Sequence, residues 1–339
     1  MLLNPSRLLF LITLILGTLF SISASSWFGA WAGLEINLLS FIPLMSQNNK
    51  FSAEAALKYF LVQALASSIL LFAVLMLYSL HSMLISLDSI IDPSLILNTA
   101  LLIKLGGAPF HFWFPGVMEG LNWSCNIILM TWQKMAPMML LSYTIYLNTF
   151  YTFVIISSVM AGSLGGFNQT SLRKIMAYSS INHLGWMVAS IILGDLFWFM
   201  YFLFYSFLSI TTIILFSQFN LTHLYQIYSS SFHSPAIKLM MFLNMLSLGG
   251  LPPFLGFLPK WIIINGLVMS NNYFTITVMV IMTLVTLFFY LRLTFSALLL
   301  THSEPKWLNP STTLSPLLLI LVTLSILGLL LSPLLFVIL

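Results

Sequence analysis

Charge is what this sequence has least of. Its 339 residues include eleven Lys or Arg and seven Asp or Glu, 5% of the chain, against 60% hydrophobic residues. The mean hydropathy is +1.05. The formal net charge of +4 does not point to nucleic acid, because the basic residues sit beside long apolar runs. Cysteine is almost missing too: the lone Cys125 excludes an intramolecular disulfide and a Cys-ligated iron–sulfur cluster. No GxGxxG or GxxxxGK[ST] run occurs, so nothing points to a nucleotide fold. The six histidines are scattered without metal-ligand spacing.

What is present is apolar length. About 20 apolar residues cross a bilayer as a helix, and such runs follow one another near 8–25, 27–46, 55–79, 93–121, 124–146, 149–168, 173–194, 196–219, 238–269, 273–299 and 313–338. That predicts eleven transmembrane helices. Membrane backbone must satisfy its own hydrogen bonds, and the short alternating segments of a barrel are missing, so the fold class is all-α, a polytopic helical bundle. Arg7, the apolar run from Leu8 to Phe20 and the small residues from Ser21 to Ser26 also fit a signal peptide. The ten further spans favour a retained first helix. No Arg-rich, acid-poor transit stretch precedes it, so an organellar protein of this sequence is expected to be made inside the organelle.

With the N-terminus inside, inside segments carry Arg7, Lys50, Lys58, Arg173, Lys174, Lys238 and Lys306. Outside segments carry Asp88, Asp92 and Asp195 and no Lys or Arg. That is the positive-inside distribution, and a miscount by one helix would scramble it.

Two segments resemble each other: Lys104-Leu105-Gly106-Gly107-Ala108-Pro109-Phe110 and Ser247-Leu248-Gly249-Gly250-Leu251-Pro252-Pro253-Phe254, 143 residues apart. Gly with Pro loosens the backbone and removes a hydrogen bond, so each predicts a helix broken into two halves. Five spans of offset reverse the direction, which predicts inverted repeats over 1–146 and 147–300, followed by a loop and a C-terminal helix over 301–339. Interrupted helices at matching places in two halves point to a transport site at the midplane. Kinks made only for packing are the plainer alternative.

A charge at the bilayer centre costs at least ~2.5–3.5 kcal/mol by insertion scales and usually marks an ion or proton path. Lys134 lies too deep in its span for its stem to reach water. Lys104 precedes the first break, and Lys260 follows the second. Glu35 follows Gly29-x-x-x-Gly33, a spacing that lets helices approach closely, and is the natural partner of Lys104. A static ion pair is the other reading of that couple. His183, deep in Tyr178-Ser179-Ser180-Ile181-Asn182-His183, fits either a proton relay or a packed core histidine. Glu119 and His111 are weaker candidates. Lys58 and Glu54 read as boundary anchors, and His81, His223, His233 and His302 as solvated loop residues.

Lysine suits such work because an ammonium taken out of water gives up its proton when a neighbouring charge moves. Drawing Glu35 away from Lys104 would release a proton towards Lys134 and then Lys260. Moving one proton against ~150 mV costs about 3–4 kcal/mol. With no ATP site or redox centre in the chain, a partner or an ion gradient must supply it.

The run from Gln169 to Trp186, together with the two Gly-Gly breaks, resembles the signature of antiporter-like proton-pumping subunits. Trp27 to Pro43, Gly107 to Pro115 and Gly249 to Trp261 narrow the resemblance to one membrane subunit of respiratory complex I, the NADH–ubiquinone oxidoreductase, in its animal mitochondrial form. The resemblance covers essentially the whole chain. It implies paired five-helix inverted repeats and places Glu35, Lys104, Lys134, Lys260 and His183 at the family's proton-transfer positions. Longer bacterial relatives have three more N-terminal helices, which leaves a surface here for another subunit. The resemblance also implies the mitochondrial inner membrane, with the N-terminus on the matrix side. Other membrane-arm subunits and lipids are the implied partners. NADH, FMN, iron–sulfur clusters and ubiquinone are then handled by other subunits, with no cofactor or metal on this chain. A cation/proton antiporter subunit and a non-pumping membrane-arm scaffold are the alternatives.

Overall fold

Apolar runs that must close their own backbone hydrogen bonds fold as helices, and the computed structural model is built of them. It describes residues 5–46, 49–83, 92–145, 149–229, 235–299 and 315–331. No strand occurs among these; the nearest approach is an isolated bridge between Ser171 and His223. Asp88, His233, His302 and Lys306 lie outside the described residues. The chain divides into two compact units, residues 1–147 and 148–339.

The first unit holds α1 (Pro5–Ser23), α2 (Trp27–Met45), α3 (Lys50–Met83), α4 (Pro93–Leu105), α5 (Trp113–Gly120), α6 (Trp123–Met130) and α7 (Trp132–Ser142). The α1–α2 hairpin is close because Gly33 packs against Ser21, where a Cβ would come within 2.6 Å of backbone. Gly33 makes that approach with Gly17 across the hairpin; Gly29 meets only Ala24 and Ser26 at the start of its own helix. α3 runs on through His81, a position the sequence suggests is loop. α4 and α5 are the two halves of the expected broken helix. Gly106 ends α4 at φ 72°, a left-handed conformation that glycine adopts without steric cost.

One break was not legible in the pattern. The span expected over 124–146 is interrupted at Thr131, between α6 and α7. The Thr131 hydroxyl turns back onto the Ile127 carbonyl at 2.6 Å, and Pro137 has no N–H for the Gln133 carbonyl one turn earlier. Lys134 sits in the loosened turn.

The second unit holds α8 (Thr149–Gly166), α9 (Leu172–Leu193), α10 (Asp195–Gln218), α11 (Leu224–Ser229), α12 (Pro235–Gly249), α13 (Phe257–Met269), α14 (Tyr273–Leu299) and α15 (Pro316–Leu327), with a 3₁₀ turn over Gly328–Leu331. α9 is buried almost all round, the position of a central helix rather than an amphipathic one. α12 and α13 are the second broken helix, with Gly250 at φ 84° in the break. Before that break Asn244 ties three helices together. Its Oδ1 accepts from Ser325 of α15 at 2.8 Å and exchanges hydrogen bonds with Thr211 of α10. α8 and α14 run parallel: Phe167 stacks on Phe288, and Arg292 donates to the Phe167 carbonyl at 2.7 Å.

Among the described residues, seven helices are long and apolar enough to cross a membrane in one piece: α1, α2, most of α3, α8, α9, α10 and most of α14. α4, α12, α13 and α15 are apolar but shorter. The outward faces of α1 and α3 are rows of exposed leucine, isoleucine and phenylalanine, as lipid contact requires.

Candidate functional site

In the first unit, α2, α3, α4, α5 and α7 converge on a small internal cavity whose lining includes both Lys104 and Lys134. The space open to the centre of a water is about 20 Å³, enough for about one water. Lys104 belongs to the last turn of α4, where the helix dipole favours a cation, and Lys134 is 2% exposed. The polar lining is supplied by side chains that the charge pattern did not single out. Gln63 of α3 donates to the Lys104 carbonyl at 3.1 Å, and Gln133 of α7 donates to Asn37 of α2 at 2.9 Å. Gln63 stands inside an apolar span, and that is the signal by which it could have been found. Lys134 Nζ lies over the ring of Phe114, 5.4 Å from its centroid.

Glu35 is half-buried on α2, and its buried Oε2 has no hydrogen-bond partner among the described residues. It lies within electrostatic reach of Lys104 without salt-bridge contact. Among the described residues that contact is made by Lys58 and Glu54 at 2.6 Å, both well exposed on α3, as befits boundary anchors. Glu119 is exposed near the end of α5, and His111 is half-buried in the break.

In the second unit Lys260 is 7% exposed. It belongs to the first turns of α13, yet its ammonium reaches back and donates to the Gly249 carbonyl at 2.7 Å, at the C-terminal end of α12. The side chain lies across Gly250, where a Cβ would come within 3.0 Å of Nζ. A break leaves carbonyls without helical donors, and here the lysine serves one of them. His183 on α9 is buried, its Nδ1 2.8 Å from the Tyr201 hydroxyl of α10, with the Tyr205 ring 5.1 Å away centre to centre. Lys238, which the sequence assigns to a boundary, is buried in the first turn of α12. His223 is exposed in a loop. Among the described residues no group of three His, Cys, Asp or Glu could hold a metal ion.

Residues 24–286 match the NADH:quinone oxidoreductase/Mrp antiporter, TM family, and residues 287–336 match NADH dehydrogenase subunit 2 C-terminus. NADH-ubiquinone oxidoreductase chain 2 of Anopheles gambiae is 54% identical over 305 residues, 89% of each chain. The protein of the same name from Suncus etruscus is 40% identical over 343 residues, 98% of each. Among solved structures, a chain of respiratory complex I from Thermus thermophilus has a TM-score of 0.81 at 24% identity, covering 97% of this chain and 80% of that one. A chain of the Mrp complex from Dietzia has a TM-score of 0.74 at 18% identity, over 91% of this chain and 64% of that one. At those identities the structural likeness speaks for the fold, and the sequence matches speak for descent: the chain belongs to the NADH:quinone oxidoreductase/Mrp antiporter transmembrane family, in the branch that carries the NADH dehydrogenase subunit 2 C-terminus.

Proposed function

We propose that this chain is a core membrane-arm subunit of respiratory complex I, the proton-translocating NADH:ubiquinone oxidoreductase, and moves protons through buried lysines. The carrying observation is the cavity of the first unit, where two lysines from different helices share one small polar space. Glu35, within electrostatic reach of Lys104, supplies a charge whose movement changes the hold of Lys104 on its proton. The cavity, with the amides of Gln63 and Gln133 in its lining and room for about one water, is where the proton passes between the lysines in this reading, and transfer onward to Lys260, with His183 as a relay, completes the path. The driving energy comes from quinone reduction in other subunits, with NADH, FMN, iron–sulfur clusters and ubiquinone held there.

In this reading the chain crosses the mitochondrial inner membrane eleven times, the helix pairs α4–α5, α6–α7 and α12–α13 each completing one crossing. Its N-terminus faces the matrix. Residues 1–146 and 147–300 form inverted five-helix repeats, and 301–339, of which 315–331 are described, add a last helix. The parallel run of α8 and α14, joined at their C-terminal ends by Arg292, supports that alternation. So does the lysine at each break, both set against the C-terminal end of the first half-helix.

The test is the ratio of protons moved to electrons passed in membranes whose complex I carries Lys134→Met or Lys260→Met. A lowered ratio at normal complex content is the expected result. An unchanged ratio in both variants would end the proton-path assignment. Sodium-dependent proton exchange by the isolated chain in liposomes would instead favour an antiporter subunit.

A further inference from the structure

Phe114 stands between the break of the first broken helix and Lys134. It is 2% exposed, lines the cavity that both lysines share, and carries the Lys134 ammonium over its ring. It also packs against Gly106, two residues beyond Lys104, where a Cβ would lie 3.3 Å from its Cβ and Cδ2. Its neighbour Trp113 donates its indole N–H to the Ile103 carbonyl at 3.2 Å and meets Phe114 edge-on at 5.4 Å. Phe114 thus packs against the end of α4 at Gly106 and offers its ring face to Lys134. A ring face carries negative charge density that attracts an ammonium and not a neutral amine, most strongly where water is excluded.

We propose that Phe114 is a positioning residue for proton transfer at Lys134. Its ring holds the ammonium in the cavity that Lys134 shares with Lys104 and ties the charge on Lys134 to the seating of α5 behind the break. This rests on the reading of Lys134 as a proton carrier.

The experiment compares Phe114→Leu, Phe114→Tyr, Lys134→Met and the Phe114→Leu/Lys134→Met pair in the assembled complex, reading NADH-driven proton pumping and complex content. Phe114→Leu keeps apolar volume without a ring face and is expected to slow pumping by roughly 3- to 30-fold, the range that loss of a desolvated ring–cation contact gives. Phe114→Tyr, which keeps the face, restores most of it. In the Lys134→Met background the leucine adds no further loss. Should the leucine variant fail to accumulate, Phe114→Met replaces it as a flexible apolar filler.

Normal pumping in Phe114→Leu, equal loss in Phe114→Tyr, or extra loss on top of Lys134→Met overturns the proposal. If Lys134→Met is impaired and Phe114→Leu is not, the inference about Phe114 falls alone. If Lys134→Met pumps normally, the proton-path reading falls and takes this inference with it.

Discussion

A lysine out of water must find carbonyls, a carboxylate or a ring face, and each buried lysine of the expected set does so differently. Lys260 donates to the carbonyl that its own helix break exposes, Lys134 lies over Phe114, and Lys104 has Glu35 within electrostatic reach. His183 has the Tyr201 hydroxyl against its Nδ1, and that contact can be tested. Tyr201→Phe removes the 2.8 Å partner of Nδ1 and leaves the ring to pack. Loss of one such hydrogen bond is worth about 0.5–1.5 kcal/mol, so NADH-driven pumping is expected to fall roughly 2- to 10-fold at unchanged complex content if His183 relays protons. Full pumping would mark His183 as a packed core residue, the other reading its sequence context allows. The charges were legible because charge in an apolar span is conspicuous. Gln63 carried only the weaker mark of an amide in an apolar span, and Asn37, Gln133 and Tyr201 were not legible, because a neutral polar side chain is seldom conspicuous until its neighbours are known.

Helix breaks are where backbone chemistry becomes available to side chains. The Gly-Gly-Pro patterns announced two of them, since glycine admits the left-handed backbone found at Gly106 and Gly250 without steric cost. The third, at Thr131, depends on a hydroxyl folding back and a proline one turn and a half later, a combination that short-range patterns do not single out. Gly250 carries the firmest prediction at this scale. Alanine there forces a Cβ into a left-handed position at a cost of about 1–2 kcal/mol and pushes on Lys260 Nζ from 3.0 Å. Gly250→Ala is therefore expected to lower the proton-to-electron ratio towards that of Lys260→Met and to lower the thermal midpoint of the complex. Both can be read on one detergent preparation by coupled pumping and by heat-induced loss of NADH oxidation. An unchanged ratio would show that Lys260 does not need its Gly249 contact.

At the scale of the whole molecule, the exposed apolar faces of α1 and α3 require lipid or neighbouring subunits around them. Native-gel separation of gently solubilised inner membranes, stained for NADH oxidation, should find this chain stoichiometrically in the active band by mass spectrometry. Migration elsewhere, without that activity, would return the antiporter reading to the front. The helical class, the membrane habit, two of the three breaks and the burial of Lys104, Lys134 and Lys260, though not that of Lys238, follow from the sequence alone, because hydropathy, glycine and proline act within a few residues of where they stand. The meeting of Lys104 and Lys134 in one cavity, the ring of Phe114 between the break and Lys134, the reach of Lys260 back to Gly249, and the hydroxyl of Tyr201 on His183 were decided by tertiary structure. Each joins residues from separate helices or across a break, and which faces of two helices meet depends on packing that no local pattern encodes.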